Sequence, residues 1–347
     1  MESFFVLATW LDVMAISACA GVLACVLWVV PRYAPGHYPT RLWVGFGAAL
    51  AWLAAASVVL LASRTMEFSG AGFSGLSTYL PLVVSKTHYG LIWKARIFAV
   101  VVLWLCWLAG LSARARPYAA WLAMAVLLVV VYSRSATGHA GDHGAYSLGV
   151  WVDCVHVWSS GIWVGGLFAM SLLVFPALIK EGVTGQALAA DVFSRLSVVA
   201  GAALAAIVLS GVFNAWNGLD SVGNLWNSGY GRILSIKLVL VAWMVYLGGH
   251  NRYHKVPALR LSSGLDSGRA SGMGLRVPGW RPVSTTRGGN HVMARCVRAV
   301  HIESVLGVLV LALAAWLHHG MPPSDMRHMG FAPAPVVAPA PGHTGRA

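Results

Sequence analysis

Eight segments of this 347-residue chain are apolar over the length that a helix needs to cross a membrane. A helix requires about 20 mostly apolar residues to span the hydrocarbon core of a bilayer. Because a helix satisfies its backbone hydrogen bonds internally, it is the structure that such segments adopt in lipid. The sequence therefore predicts an all-α, polytopic transmembrane helical bundle with spans at approximately 4–30, 41–63, 90–110, 118–133, 150–176, 196–216, 231–250 and 299–318.

The composition excludes several other classes of protein. Hydrophobic residues make up 58% of the chain and charged residues 10%, whereas about a quarter of a soluble domain is charged. A soluble enzyme and a disordered chain are therefore excluded. Four of the five Cys fall inside apolar segments, so no disulfide framework is expected. The net charge of +13 reflects basic loops beside the spans and does not indicate nucleic-acid binding.

The basic residues indicate which way the bundle faces. Most of the Lys and Arg lie in the loops that join spans one to two, three to four, five to six and seven to eight. By the positive-inside rule these loops face the cytoplasm. Both termini are then expected on the outer side of the membrane.

The chain divides into three predicted regions. Residues 1–84 form a two-span unit with an outer loop, residues 85–320 form a six-span core, and residues 321–347 form a tail that is first His/Met-rich and then Pro/Ala-rich. The loop 252–298 within the core is rich in Gly, Ser and Arg. We expect this loop to be flexible and to lie near anionic lipid head groups.

Six ionisable residues lie inside the spans at a similar predicted depth below the outer surface. They are Asp12, Lys94, Arg96, Asp153, His156 and Lys237. Such groups are costly in lipid, so each needs a partner or a function. If the two Asp pair with cations, the layer is structural. Otherwise the layer lies on an ion path, where bare cations would repel a metal ion.

Asp153 and His156 are three residues apart in span five and therefore share one helix face. In one interpretation both side chains bind a metal. In another, the carboxylate accepts the imidazole proton and fixes the tautomer of a histidine that binds the metal. The third interpretation is a histidine that is hydrogen-bonded in the core and has no role in metal binding.

Further imidazole and thioether groups gather at the outer side of the predicted bundle. His139 and His143 precede span five, and His88 precedes span three. A dense run at the end of span eight contains His318, His319, Met321, Met326 and His328. Imidazole combined with thioether suits copper, and thioether favours Cu(I). The alternative is a His/Met-rich tail that arose by chance.

A smaller group of metal-ligand residue types lies at the inner side. His250 and His254 follow each other closely at the end of span seven, and His301 and Glu303 open span eight. These residues predict either an exit site for a permeating ion or ordinary residues of the membrane interface.

Seven short motifs follow one another between residues 85 and 315. They are Thr87-His-Tyr-Gly-Leu-Ile-Trp-Lys-Ala-Arg96, Thr137-Gly-His-Ala140, His156-Val-Trp-Ser-Ser-Gly-Ile-Trp-Val-Gly-Gly166, Phe193-Ser-Arg-Leu-Ser197, Ser210-Gly-Val-Phe-Asn-Ala-Trp216, Tyr230-Gly-Arg-Ile-Leu-Ser-Ile-Lys237 and Asn251-Arg-Tyr253. In order and spacing they resemble the CopD copper-resistance family of bacterial inner-membrane proteins. Spans one and two resemble the family more weakly.

The resemblance implies an eight-span protein that handles copper at the bacterial cytoplasmic membrane, alongside periplasmic copper-binding partners. The outer side of the bundle, with both termini, would then be the periplasmic side. The family's histidine positions carry over to His139 and His156. Lys94, the arginine-rich loop and the His/Met tail depart from the family pattern.

Three functions fit these residues. The favoured one is a copper permease without enzymatic activity, which imports copper from the outer His/Met cluster through Asp153 and His156. The second is a copper receptor or metallochaperone that binds the ion without moving it across. The third is a haem b redox protein, which requires two axial histidines at one depth. The sequence contains neither a P-loop nor a nucleophile–base motif.

Overall fold

The computed structural model describes residues 2–142, 144–181, 183–219, 221–262, 289–320 and 322–324. Within these ranges the chain is helical with short turns and has no β-strand. Eight of the described helical segments are long and apolar enough to cross a membrane, which confirms the predicted all-α bundle. All five Cys are buried and free.

The described residues form α-helices that we number in chain order. They are α1 (Glu2–Ala24), α2 (His37–Ser69), α3 (Leu76–Lys86), α4 (His88–Ala109), α5 (Arg116–Ala136), α6 (Leu148–Ala169), α7 (Phe175–Lys180), α8 (Val183–Leu219), α9 (Asn224–Asn227), α10 (Gly229–His250), α11 (Val256–Ser262) and α12 (Gly289–His319). The membrane spans one to eight run over Glu2–Val29, His37–Ser69, His88–Ala109, Arg116–Ala136, Leu148–Lys180, Gly185–Leu219, Gly229–Leu259 and Val292–His319.

Span two is longer than predicted because polar residues continue the helix beyond its apolar segment. Arg64 and Glu67, one turn apart, form an ion pair with a 2.8 Å separation between Nη1 and Oε2. Gly70 then ends the helix with φ of 65°, a left-handed conformation that favours glycine. The extension carries Arg64 towards the ends of spans four and eight.

The two ends of the bundle differ in the residues that they present. Thr9, early in span one, lies 2.8 Å from the Nε2 atom of His319 at the end of span eight. We call this side, which also contains His139 and His318, the histidine end. The opposite side, where the loops carry Arg32 and Arg114, is called the basic end.

Spans one and five cross with their backbones in contact. A Cβ atom on Gly165 would lie 1.7 Å from the carbonyl oxygen of Ser17, and one on Gly21 would lie 1.9 Å from the carbonyl carbon of Gly165. Only glycine permits this approach. This close approach, together with the burial of most of span one, places span one in the centre of the bundle.

Three spans contain a π-helical turn in the half nearer the basic end: Cys25–Val29 in span one, Met170–Val174 in span five and Asn251–Lys255 in span seven. In spans five and seven a proline, Pro176 or Pro257, is the second residue after the turn. Proline lacks an amide proton and crowds the carbonyl four residues earlier. The wider π turn accommodates that crowding, so the helix continues across the membrane.

Candidate functional site

Span one and span three are joined by a buried ion pair. Asp12 is 0% exposed and Arg96 is 2% exposed, and the guanidinium donates to the carboxylate. The Nε of Arg96 also donates to the hydroxyl of Ser57 at 3.0 Å. A small cavity of about 10 Å³, enough for one water molecule, lies against Arg96. The pair is fully enclosed, so its two charges compensate each other inside the bundle.

The other predicted members of the ionisable layer lie in different surroundings. Lys94 is exposed on the surface of α4 and does not join the buried pair. Lys237 of span seven is partly buried, and it interacts electrostatically with Asp153 and with His156 of span five. The layer predicted from depth alone therefore divides into the Asp12–Arg96 pair and a separate group between spans five, six and seven.

Span six hydrogen-bonds both residues of span five that belong to the predicted ionisable layer, His156 and Asp153. The Nδ1 atom of His156 lies 3.1 Å from the hydroxyl oxygen of Ser210, and the Nδ2 atom of Asn214 donates to Asp153 at 3.1 Å. Ser210 and Asn214 are one turn apart, as are their partners. The residue that orients His156 is thus Ser210, and Asp153 has its own partner.

The hydrogen bonds assign the tautomer of His156. The hydroxyl of Ser210 donates to the carbonyl of Ala206 at 2.6 Å, so its oxygen is left to accept the Nδ1 proton of His156. The lone pair of Nε2 then has no hydrogen-bond partner among the described residues. A neutral imidazole fixed through one nitrogen offers the other nitrogen as a metal ligand.

Three histidines meet at the histidine end. The Nη2 of Arg64 donates to Nε2 of His318 at 3.0 Å, because arginine can only donate. His139 donates from Nε2 to the carbonyl of His318 at 3.1 Å, and the two rings are 5.9 Å apart. His319 contacts His318 edge to face at a ring distance of 5.4 Å. In this arrangement Arg64 occupies the Nε2 lone pair of His318.

Glu67 connects this cluster to Arg64. Its carboxylate accepts from Arg64 at 2.8 Å and lies 3.9 Å from Nδ1 of His319. Asp142 lies 3.5 Å from Nδ1 of His139 on the exposed face of the cluster. One carboxylate therefore lies beside His319 and another beside His139.

Several predicted ligands do not join this cluster. His88 is exposed at the first residue of α4. The predicted ligands His143, Met321, Met326 and His328 lie outside the described residues. In the part of the chain that the structure describes, no three His, Cys, Asp or Glu side chains lie close enough together to hold a metal ion.

The predicted inner group does not converge. His250 and His254 are exposed and stack on each other at a ring distance of 4.9 Å. His301 is exposed, and its Nδ1 donates to the carbonyl of Val297 on its own helix at 2.8 Å. Glu303 points into the bundle instead, where the Nδ2 of Asn251 donates to it at 2.6 Å.

Sequence reasoning missed Arg64, Arg134, Ser210 and Asn214. The two arginines were visible as basic residues directly after the apolar segments 41–63 and 118–133, a position that calls for a partner. Ser210 and Asn214 carried a weaker signal, because small polar residues are common in helices that pack together in membranes. Only the packing of span six on span five identifies their partners.

Comparison with known proteins relates this chain to copper-resistance proteins. A family model described as the N-terminal domain of copper resistance protein D-like proteins matches residues 1–150, and the model for copper resistance protein D matches residues 190–317. Copper resistance protein D of Pseudomonas syringae pv. tomato is 31% identical over 280 residues, which cover 76% of this chain and 78% of that protein.

A second relative is considerably longer than this chain. Copper transport protein CutJ of Bacillus subtilis (strain 168) is 27% identical over 205 residues, which cover 57% of this chain but 37% of that protein. The alignment therefore spans little more than a third of that relative. No solved structure matches the chain.

Proposed function

Because the chain belongs to the copper resistance protein D family, we propose that it carries copper across the membrane and catalyses no covalent reaction. The family and the eight apolar helices make it a multi-pass inner-membrane protein related to copper resistance and transport. Import is the proposed direction, because the membrane potential pulls a cation into the cytoplasm with about 2.3 kcal/mol per charge per 100 mV.

The observation that carries this proposal is the fixed orientation of His156. Ser210 holds its Nδ1, and the Nε2 lone pair is left without a partner among the described residues. The residue lies inside span five, three turns or fewer from the histidine end. A neutral imidazole in this position can accept copper from ligands nearer the surface and hold it within the bundle.

Copper capture would take place at the histidine end, which we infer faces the periplasm. His139 is about half exposed there, and a periplasmic copper-binding protein would deliver the ion to it. His318 becomes available when Arg64 releases its Nε2. Glu67 already accepts from Arg64 and can retain the guanidinium after the release.

Most of the cations that would oppose a copper ion are compensated. Arg96 is paired with Asp12, and Arg64 is paired with Glu67. Lys237 interacts electrostatically with Asp153. Pairing lowers the repulsion that bare like charges would exert on a metal ion in a medium of low polarity. The charges of these groups are thus compatible with a cation bound at His156.

Copper uptake into sealed liposomes tests the proposal. Purified protein is reconstituted, and uptake by the wild type is compared with uptake by His156→Ala. The matched control is His301→Ala, because His301 is exposed and donates only within its own helix. Uptake that is lost in His156→Ala and kept in His301→Ala supports a permease. Equal uptake in all three proteins contradicts a role of His156 in transport.

A copper receptor that does not move the ion is the second candidate. It is favoured by a contrast between the two ends of the bundle: His139, His318 and His319 meet at one end, whereas the exposed His250, His254 and His301 near the other do not converge on one point. Tight copper binding without uptake in the same liposomes identifies this function. The binding is then expected to depend on His139 and His318, which lie at the histidine end.

A further inference from the structure

Arg134 is a buried cation without a hydrogen-bond partner among the residues that the structure describes. It lies in the last turn of span four and is 8% exposed. Its guanidinium carries five N–H donors and keeps its charge at any physiological pH. Within the described ranges of the chain, no carboxylate, carbonyl or hydroxyl accepts a hydrogen bond from it. A buried charge in this condition is costly unless something outside the chain compensates it.

The neighbouring cations leave no carboxylate for Arg134. Each of them already has its own acidic group: Asp12 for Arg96, Glu67 for Arg64 and Asp153 for Lys237. Asp12 and Asp153 also attract Arg134 electrostatically, while Arg64 and Arg96 repel it. Among these described groups the positive charges therefore exceed the negative charges by one, and that one belongs to Arg134.

The position of Arg134 links it to the histidine end. Its charge acts on His318 and on His319, and these two rings form part of the histidine cluster. Arg64 differs from Arg134, because three of its five N–H groups already donate to Glu67, Thr137 and His318 and its charge is paired with Glu67. A ligand that enters from the histidine end therefore meets an unused guanidinium beside the candidate copper ligands.

We propose that Arg134 binds a small monovalent anion, either a halide or a carboxylate, at the histidine end of the bundle. The single uncompensated charge matches a monovalent ion. The planar fork of the guanidinium matches the two oxygens of a carboxylate, and its N–H groups also suit a halide. Anion binding requires no copper, so the site goes beyond the proposed transport function and is tested without the metal.

The test measures the melting temperature of the full-length protein in a non-ionic detergent, without copper. Sodium chloride or sodium acetate replaces sodium gluconate, whose anion is too bulky for a buried site, at constant ionic strength. For the wild type we expect a rise that saturates with the concentration of the small anion. For Arg134→Gln we expect no rise, and in gluconate alone this variant melts at or above the wild type because an uncompensated charge has been removed.

Two further variants test whether the response depends on the position and on the shape of the positive charge. Arg232→Gln makes the same charge change at an exposed position of α10 and should keep the saturable rise. Arg134→Lys keeps the charge but not the fork, so it should respond to chloride and lose any preference for acetate. Comparison of the two salts in the wild type distinguishes a halide site from a carboxylate site.

Three results would overturn the proposal. One is a wild type that shows no saturable response to either small anion. Another is a response that persists unchanged in Arg134→Gln. The third is an Arg134→Gln variant that melts well below the wild type in gluconate, which would make Arg134 a residue of structural importance in the anion-free protein.

Discussion

Two buried carboxylates, one in each half of the bundle, are stabilised by different kinds of partner. Asp12, in the half near the histidine end, accepts from the guanidinium of Arg96 and is completely enclosed. Glu303, in the half near the basic end, is 4% exposed and accepts from the amide of Asn251 at 2.6 Å. In the described residues no Lys or Arg lies within ion-pair distance of Glu303, and Lys255 acts on it from farther away.

The difference shows that the two halves tolerate charge for different reasons. Apart from Arg134, the charges described near the histidine end come in opposite pairs, such as Asp12 with Arg96 and Glu67 with Arg64, so the loss of one partner leaves the other uncompensated. Polar groups near the basic end are largely neutral, as in the contact between the hydroxyls of Ser171 and Ser304 at 3.0 Å. The same chemical change, from carboxylate to amide, is therefore expected to have opposite consequences in the two halves.

Asp12→Asn should have the largest effect on stability. The substitution keeps the size of the side chain but leaves the charge of Arg96 buried without compensation. The expected loss is about 3–5 kcal/mol in the free energy of unfolding. Thermal unfolding of the purified protein measures it, with Asp142→Asn as the control because Asp142 is exposed.

A double variant separates the charge from the packing. Asp12→Leu combined with Arg96→Met removes both charges, and replacement of a buried ion pair by apolar residues is often neutral or stabilising. The double variant should therefore regain most of the stability that Asp12→Asn loses. An Asp12→Asn protein as stable as the wild type would show that Arg96 finds another partner.

Ser210→Ala should have an intermediate effect, on copper binding and not on folding. Without the hydroxyl, the Nδ1 proton of His156 loses its acceptor and the ring loses its fixed orientation. Loss of a group that orients a metal-binding histidine typically weakens metal affinity about 10- to 100-fold. Competition with a Cu(I) chelator measures the affinity.

The matched control for this substitution is Ser85→Ala. The hydroxyl of Ser85 is exposed and donates to the carbonyl of Pro81 on its own helix. The substitution Ser85→Ala therefore removes the same hydroxyl group as Ser210→Ala, at a site remote from span five. Equal copper affinity in Ser210→Ala and the wild type would leave His156 as a histidine with a purely structural role.

Glu303→Gln should have the smallest effect. The glutamine keeps an oxygen that accepts from Asn251 and removes a buried charge, so the free energy of unfolding should change by less than about 1 kcal/mol. Glu303→Leu instead leaves the amide of Asn251 without a partner, at a cost of about 1–3 kcal/mol. Chemical denaturation of the two variants provides the comparison. If Glu303→Gln is as harmful as Asp12→Asn, the proposed contrast between the halves is wrong.

The spans were predictable because the bilayer requires each of them to be apolar over about 20 residues. Span four, predicted at 118–133, extends to Arg116–Ala136, and span two continues past residue 63 to Ser69. Both extensions contain polar residues, whose side chains end an apolar run without ending the helix. The π-helical turns were not predicted, because proline signals a disturbed helix but does not specify how the helix relaxes.

The candidate site was predictable only in its residue types. Depth along each helix placed Asp12, Arg96, Asp153 and His156 in one layer, but depth does not specify the direction in which a side chain points. The angular position of each residue around its helix separates the Asp12–Arg96 pair from the group around His156, and it places Lys94 on the surface. Partners such as Ser210 depend on which helices are neighbours, and no spacing within one span contains that information.

The contact between Gly21 and Gly165 has a consequence for where an ion can travel. Backbones this close leave no gap between spans one and five where the two helices cross. In the proposed transport function, copper would therefore pass along the other face of span five, beside spans six and seven. Asp153 and His156 face that side, where Asn214, Ser210 and Lys237 meet them.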